Sequence, residues 1–562
     1  MRIDRRNAAP GWSYAFERIR QILSPNVAIA PPPGGVNFER DVAVPMRDGT
    51  ILRVNVFRPH GDGPFPVVMC AHPYGKDALP KPRGRGYAPL LQFRIMRQPM
   101  PPHFSAWTGW ESPDPAFWTA HGYAVVNADL RGFGHSDGVG ELLSAQEAQD
   151  YYELIEWAGT QPWSTGRVGL NGVSYLALSQ WMVAALRPPH LAAICPWEGF
   201  SDCYRDFARP GGVREDGFLP LWAGQVARVG RIKDNLRAEQ LARPLFDEWW
   251  AARCAVLERI DVPALICGSF SDQGLHSRGS IEAFRRIGSR EKWLYTHRGG
   301  KWATYYSDEA LGWQRRFFDC FLKGEENGMR AVPPVRLEVR SDRESVSSVR
   351  GETQWPLEGT RWTPLYLAGN GDLAASPAPL EETQAIDARS GTASFVWKPS
   401  RDVEICGPMM LQLGVSLEGC DDATLFAFVR KIDRNGVNVP FEGSYGFGYD
   451  VVAKGSLKLS LRALDEAKSS PWQPVYPFAA MQRLAPGEIV TVRVEILSSA
   501  TLFRAGEALQ LDVRGRWLYA HRNPPIRGAQ FYETGPAGRI VLHLGGAGDA
   551  HLLVPLQLHE GR

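Results

Sequence analysis

The sequence predicts a parallel α/β unit carrying a helical cap, followed by an all-β sandwich, and three observations carry that prediction. Short β-rich runs alternate with helix-like segments from about residue 37 to about 300. From about residue 336 helical periodicity nearly vanishes, and strands separated by turn residues take its place. At 562 residues the chain is also too long for one ordinary core. These patterns divide it into an N-terminal extension over 1–36, an α/β domain over 37–325 with the cap inserted at about 200–258, and an all-β domain over 326–562.

The strands of the first domain are "ILRVNVF" (51–57), "FPVVMCA" (65–71), "YAVVNAD" (123–129), "RVGLNG" (167–172), "LAAICPW" (191–197), "VPALICGSF" (262–270) and "KWLYTH" (292–297). Several are apolar on both faces, as strands buried in a parallel sheet must be. Between them lie readable helix starts. Ser144 with Glu147 three residues on is a capping box, and Tyr151, Leu154, Ile155 and Ala158 follow at helical spacing. After Ser174, residues Leu178, Trp181, Met182 and Ala185 share a helical face. The stretch 75–120 holds eight prolines and is too long for an ordinary loop, so it is expected to help wall a pocket. Residues 200–258, rich in Trp, Arg and charged helix formers, break the alternation and form the expected cap. Beyond 336, runs such as "PVRLEVR", "MMLQLGVSLEG", "EIVTVRVEI" and "EALQLDVRGR" read as sandwich strands.

Composition narrows the function classes. A hydrophobic fraction of 44% and a charged fraction of 22% are those of a soluble globular chain. A net charge of +2 carries no global field toward nucleic acid or an anionic membrane. The eight cysteines are scattered, without metal-like spacing, and suit reduced thiols in the cytoplasm. No apolar run has transmembrane length, and the N-terminus lacks the apolar core of a signal peptide. Neither a metal nor a cofactor is expected, and homo-oligomerisation is left open.

The chemistry centres on "LNGVSYLALSQW" (170–181). Ser174 follows a β run, precedes a helix and has a glycine two residues before it, which are the local requirements of a nucleophile elbow. Leu176 stands where the second glycine of G-x-S-x-G belongs. A serine nucleophile needs a histidine base, and the base needs a carboxylate to fix its tautomer. In α/β-hydrolases the order is Ser, then Asp or Glu, then His, on loops after sheet strands. Asp272 follows the strand ending near 270, and His297 closes the strand beginning at 292. His276 is the rival base, expected within or beside a helix after the Asp272 loop. Asp261 is the rival acid, but it precedes its strand. The triad expected is therefore Ser174, Asp272 and His297.

With "VAVPMRDGTILRVNVFRP", "HPYGKD", "NADLRGFGHSDG", "GVSYLALSQW", "LYLAGNGDLA" and "TLFRAGEALQLDVRG", the chain resembles the CocE/NonD hydrolases from about 38 to 557. That family includes bacterial cocaine esterase, α-amino-acid ester hydrolases, glutaryl acylases and the X-Pro dipeptidyl-peptidase catalytic domain. The resemblance implies an α/β-hydrolase fold and a C-terminal jelly roll. It places the elbow's second glycine at Ala177, and it assigns Ser174, Asp272 and His297 as nucleophile, acid and base. It also implies an oxyanion hole from the Tyr74 hydroxyl and the Tyr175 amide. Asp129 and Arg131 are expected to pair and hold the loop beneath the site. The acidic D-x-E-D stretch of the amino-acid ester hydrolases is Asp272-Gln273-Gly274-Leu275 here, which disfavours an α-amino substrate unless Glu198, Asp202, Glu215 or Asp216 supplies charge. Trp197, Phe200, Phe218 and Trp222 are candidate pocket walls. The function expected is hydrolysis of a small-molecule carboxylic ester through an acyl-enzyme. An amidase, acylase or X-Pro dipeptidyl-peptidase is the alternative, and a non-catalytic carbohydrate-binding protein the different-class one.

Overall fold

The computed structural model describes residues 19–96, 98–443, 449–518, 531–546 and 549–558. The first half of the expected N-terminal extension, up to residue 18, lies outside them.

Runs of six to ten residues, mostly apolar inside the sheet and polar at its β1 edge, become the strands of one sheet: β1 (Val36–Pro45), β2 (Ile51–Pro59), β3 (Phe65–His72), β4 (Ala124–Asp129), β5 (Ser164–Val173), β6 (Leu191–Trp197), β7 (Ala264–Ser269) and β8 (Lys292–His297). Their order across the sheet is β1-β2-β4-β3-β5-β6-β7-β8. The first two pairings are antiparallel and the rest parallel. Every residue of β4 and of β7 is buried, as covering on both faces requires. The edge continues through β9 (Val335–Arg340) and β10 (Val346–Glu352). The 75–120 stretch contributes a small hairpin, the helices α1 (Leu91–Ile95) and α2 (Pro115–Ala120), and a short strand, His103–Ser105, paired with Ala28–Ala30.

Helix α3 (Ala145–Gly159) starts at the capping residue Ser144, whose hydroxyl accepts from the Glu147 amide at 3.2 Å. The Glu147 carboxylate reaches back to the Leu143 amide at 3.0 Å. Helix α4 (Tyr175–Ala184) is buried on nearly all sides, so its sequence is apolar around the whole circumference rather than on one stripe. Between β6 and β7 the chain leaves the sheet to form α5 (Phe218–Val229), α6 (Leu236–Ala242) and α7 (Glu248–Ala251). The sheet resumes with α8 (Ser277–Arg286), and after β8 come α9 (Lys301–Tyr305) and α10 (Asp308–Leu322).

The second half is all β: β11 (Arg361–Leu367), β12 (Glu382–Asp387), β13 (Thr392–Trp397), β14 (Val403–Glu418), β15 (Thr424–Ile432), β16 (Ala453–Lys458), β17 (Val490–Phe503), β18 (Ala508–Arg514), β19 (Arg539–Leu544) and β20 (His551–Leu558). The long β14 pairs antiparallel with β17, β19 and β20, while β13, β18, β15 and β16 form a second antiparallel group. Along β17 the buried Val492, Val494 and Ile496 alternate with more exposed residues, which is the period-2 pattern of a sheet with one covered face. The parallel pairing of β8 with β9 links the two domains, and a single parallel pairing, Arg340 with Thr501, joins β9 to β17.

Candidate active site

Strand β5 ends at Val173 and helix α4 begins at Tyr175, leaving Ser174 alone in the turn at φ 59° and ψ −116°. A non-glycine residue there stores on the order of 1–3 kcal/mol of strain, which the surrounding structure must hold. The Ser174 amide donates to the Trp197 carbonyl at 3.0 Å, and the Ser174 carbonyl accepts from the Ala177 and Leu178 amides at 2.9 and 3.0 Å. Gly172 is at φ 148°, and a Cβ there would lie 2.5 Å from that of Leu176. The glycine before the serine is thus what lets Leu176 pack. The methyl of Ala177 meets Gly199, where an added Cβ would lie 2.7 Å from Ala177 Cβ. The small residue that the elbow lacks on the helix is therefore supplied by the segment following β6.

The histidine beside Ser174 is His276, not His297. Ser174 Oγ lies 3.1 Å from His276 Nε2, and His276 Nδ1 is hydrogen-bonded to Asp272 Oδ2. Asp272 opens a helical turn, its carbonyl accepting from the His276 and Ser277 amides at 3.1 Å each. Side chains four residues apart on such a turn face one another. His297, at the end of β8, is buried below the sheet edge, where its Nε2 donates to Glu198 Oε1 at 3.0 Å. Its Nδ1 accepts from the Gly299 amide at 3.1 Å. Both ring nitrogens are thereby occupied away from Ser174. The rival acid Asp261 is half exposed and pairs with Arg187.

The loop after β8 still reaches the site, but with a lysine that sequence reasoning missed. Lys301 is fully buried at the start of α9, with Nζ 2.5 Å from Asp272 Oδ2 and 2.9 Å from His276 Nδ1. Burial opposes the Asp272 charge, but Lys301 and His276 outweigh it and hold the carboxyl below the usual range. Burial and then the Lys301 ammonium hold the His276 imidazole below its ordinary value, against Asp272. Glu111, also buried and at φ 63°, is driven up to about 8 by desolvation, against the pull of Lys301.

Tyr74, two residues past β3, is half-buried, and its ring lies edge-on to Tyr175 with centroids 6.3 Å apart. Its hydroxyl accepts from Trp222 Nε1 at 3.2 Å, which leaves the phenolic hydrogen to donate. Burial and the charge of Glu111 push this phenol well above its usual range. The Tyr175 amide is the first of α4 and has no intrahelical acceptor. The Tyr175 side chain turns away, donating to Glu147 Oε2 at 2.6 Å. Of the expected pocket residues, Phe200 stacks on His276 at 6.2 Å, and Phe218 and Trp222 are half-buried around Phe207. Trp197 is not a pocket wall: it is fully buried against Tyr295, Tyr305 and His297. Asp129 and Arg131 do not pair either. Asp129 accepts from the Lys76 and His135 amides, while Arg131 binds Asp150 and Asp48.

The carrier loops are tied to the all-β domain. Gln273 Nε2 donates to the Val452 and Ser498 carbonyls at 3.0 and 3.3 Å. Arg298, buried over the Phe441 ring, donates to the Val452 carbonyl at 2.8 Å and to Ser499 Oγ at 3.1 Å. Arg278 in α8 bridges Asp206 of the cap region and Glu495 of β17, at 2.9 Å each.

Residues 48–242 match the family described as X-Pro dipeptidyl-peptidase (S15 family), and 327–553 match the X-Pro dipeptidyl-peptidase C-terminal non-catalytic domain. The cocaine esterase of Rhodococcus sp. is 27% identical over 67% of this chain and 70% of its own length. An α-amino acid ester hydrolase superposes with a TM-score of 0.67 at 16% identity over 93% of this chain and 97% of that one, which is a likeness of fold. A CocE/NonD family hydrolase from Staphylococcus aureus superposes with a TM-score of 0.87 at 38% identity, over 95% of this chain and 99% of that one. With that identity along essentially the whole length, the chain is an enzyme of the CocE/NonD family of hydrolases.

Proposed function

We propose that the chain is a serine esterase that cleaves carboxylic esters through an acyl-enzyme, with Ser174 as nucleophile, His276 as base and Asp272 as its orienting carboxylate. The observation that carries this reading is the 3.1 Å approach of His276 Nε2 to Ser174 Oγ on a strained strand-to-helix turn. His276 takes the serine proton as Oγ attacks the ester carbonyl. The Tyr74 hydroxyl and the Tyr175 amide donate to the oxyanion of the tetrahedral intermediate, at the positive end of helix α4. The imidazolium returns its proton to the departing alcohol, and water repeats the sequence to release the acid.

A neutral acyl group is favoured, because the acids of the cap region and Glu198 are committed elsewhere, and Glu111 is held toward its neutral form by burial. Glu198 binds His297, and Asp202 and Asp206 bind Arg205 and Arg278. Glu215 accepts three amides at the start of α5, and Asp216 binds Arg214 and Arg237. The half-buried aromatics Phe218 and Trp222 suit an apolar or aromatic substituent. An amide or X-Pro peptide would use the same catalytic groups, so a panel of esters and amides with matched acyl groups separates the two substrate classes. Ser174→Ala is expected to lower p-nitrophenyl ester turnover by roughly 10⁴-fold or more and to abolish fluorophosphonate labelling with folding intact. Unchanged hydrolysis by that variant would end the assignment.

A further inference from the structure

We propose that Lys301 is a fourth member of the catalytic set, a positioning residue whose ammonium holds the Asp272 carboxylate and governs the protonation of His276. This rests on the reading of Ser174, His276 and Asp272 given above, and it adds a group that a serine, histidine and carboxylate set does not contain.

Three polar atoms, Lys301 Nζ, Asp272 Oδ2 and His276 Nδ1, lie mutually within hydrogen-bonding distance. All three side chains are buried, so water does not screen them. Nδ1 is a donor when the neutral imidazole is in the tautomer that leaves Nε2 free to accept the serine proton. Both it and the ammonium then point at Oδ2, and the two nitrogens sit 2.9 Å apart without a proton to share. Once Nε2 takes the Ser174 proton, the ring becomes a cation beside a second cation. Lys301 therefore opposes the imidazolium and, through Oδ2, opposes any proton on Asp272. It makes His276 a weaker base but a readier acid toward the leaving group, and it keeps the base free of protons further into acid. In the opposite tautomer Nδ1 accepts from the ammonium and Nε2–H faces Ser174, which is an inactive arrangement. The balance between these forms is set by where Lys301 stands relative to Oδ2.

The other groups around His276 do not reproduce this effect. Glu198 is 3.9 Å from Lys301 Nζ and is bound to His297 and Ser269. Glu111 interacts with Lys301 and Asp272 but is held toward its neutral form by burial, Phe200 stacks on the ring, and Tyr532 and Tyr74 are neutral phenols. Arg278, in the next turn, is bound to Asp206 and Glu495. Lys301 is thus the cation that faces the imidazole.

The test is the pH dependence of Ser174 labelling by a fluorophosphonate, and of p-nitrophenyl ester kcat/KM, in the full chain and in Lys301→Met. The wild-type acid limb is expected below the ordinary histidine value of about 6.5, and the variant's limb about one pH unit or more higher, with Lys301→Arg nearer wild type. A structural role alone would lower the amount of folded enzyme and leave the midpoint unmoved. Identical midpoints in wild type and Lys301→Met would overturn the proposal while leaving the Ser174 assignment standing. Absence of labelling in the wild type would overturn that assignment itself. Should Lys301→Met not fold, Lys301→Gln, which keeps a donor to Asp272 without the charge, takes its place. A midpoint raised by about one pH unit against wild type supports the proposal, and an unmoved one overturns it.

Discussion

Gly199 and Ala177 make a pair whose interdependence can be measured. A Cβ built on Gly199 would lie 2.7 Å from Ala177 Cβ, against a comfortable carbon–carbon separation of about 3.5–4.0 Å. Gly199→Ala must therefore push the first turn of α4 and the segment after β6 apart by about 1 Å. Overpacking of this size costs roughly 1–3 kcal/mol. Because that turn carries Ser174, and the Ser174 amide is bound to the Trp197 carbonyl two residues before Gly199, the displacement is passed to the nucleophile. A misplacement of about 1 Å can lower turnover about 10²-fold. Ala177→Gly removes the clashing methyl, at an intrinsic helix cost of about 1 kcal/mol or less. The double variant should thus recover most of the turnover lost in Gly199→Ala, with a coupling of at least about 1 kcal/mol. The assay is a four-member cycle of kcat on a p-nitrophenyl ester and urea midpoints with unchanged slope. Additive losses, or a Gly199→Ala protein with wild-type turnover, would refute the claim that Gly199 supplies the room the elbow needs.

Two further outcomes follow from groups named above. His276→Ala should lower kcat by roughly 10⁴-fold, whereas His297→Ala should leave kcat within about 10-fold and lower the unfolding free energy read from urea titration by about 1–3 kcal/mol as Glu198 loses that donor; equal kcat losses would show that the two histidines had been wrongly distinguished. Glu111 has its carboxyl raised from the ordinary value of 4.5 to about 8, so folding favours the neutral form and stability falls as pH rises through that interval; Glu111→Gln should be without effect on the urea midpoint near pH 4.5 and increasingly stabilising toward about pH 9, and a difference that shrinks with pH would reverse the assignment.

The architecture was legible because period and apolarity report burial directly. The runs at 51–57, 65–71, 123–129, 167–172, 191–197, 262–270 and 292–297 each fall on a sheet strand, and Ser144 caps the helix it was expected to cap. The position of Ser174 in a strand-to-helix turn was legible because a β run ends just before it and a helical run begins just after it. His297 misled because the base was expected on the loop after a later strand, whereas His276 keeps the same chain order from the Asp272 loop itself, and a hydrogen bond depends on which way a side chain points. As the last residue of β8, paired in register with Ser269, His297 faces Glu198 instead. The spacing of four from Asp272 to His276 was the available signal, and it becomes decisive only once that segment is known to be a helical turn. Trp197 misled similarly, since alternation along a strand sends neighbours to opposite faces. Lys301 carried no motif: its role depends on a burial that no local pattern announces. Charge pairs such as Arg131 with Asp150 were hidden for the same reason.

The anchorage of the two loops that carry Asp272, His276 and Lys301 has a consequence for how this enzyme can change over generations. Gln273 and Arg298 both end on the Val452 carbonyl; Gln273 adjoins Asp272 and lies three residues before His276, and Arg298 lies three residues before Lys301. The position of His276 is thus partly written in the backbone of the other domain. A recombination that exchanged the C-terminal half for that of a distant relative would import a new geometry at Val452 and Ser498, even if every residue up to 325 were kept. The two halves are consequently heritable as one unit, and sequence can drift more freely in the cap helices, which carry none of Asp272, His276 and Lys301, than at the β-domain backbone on which those loops rest.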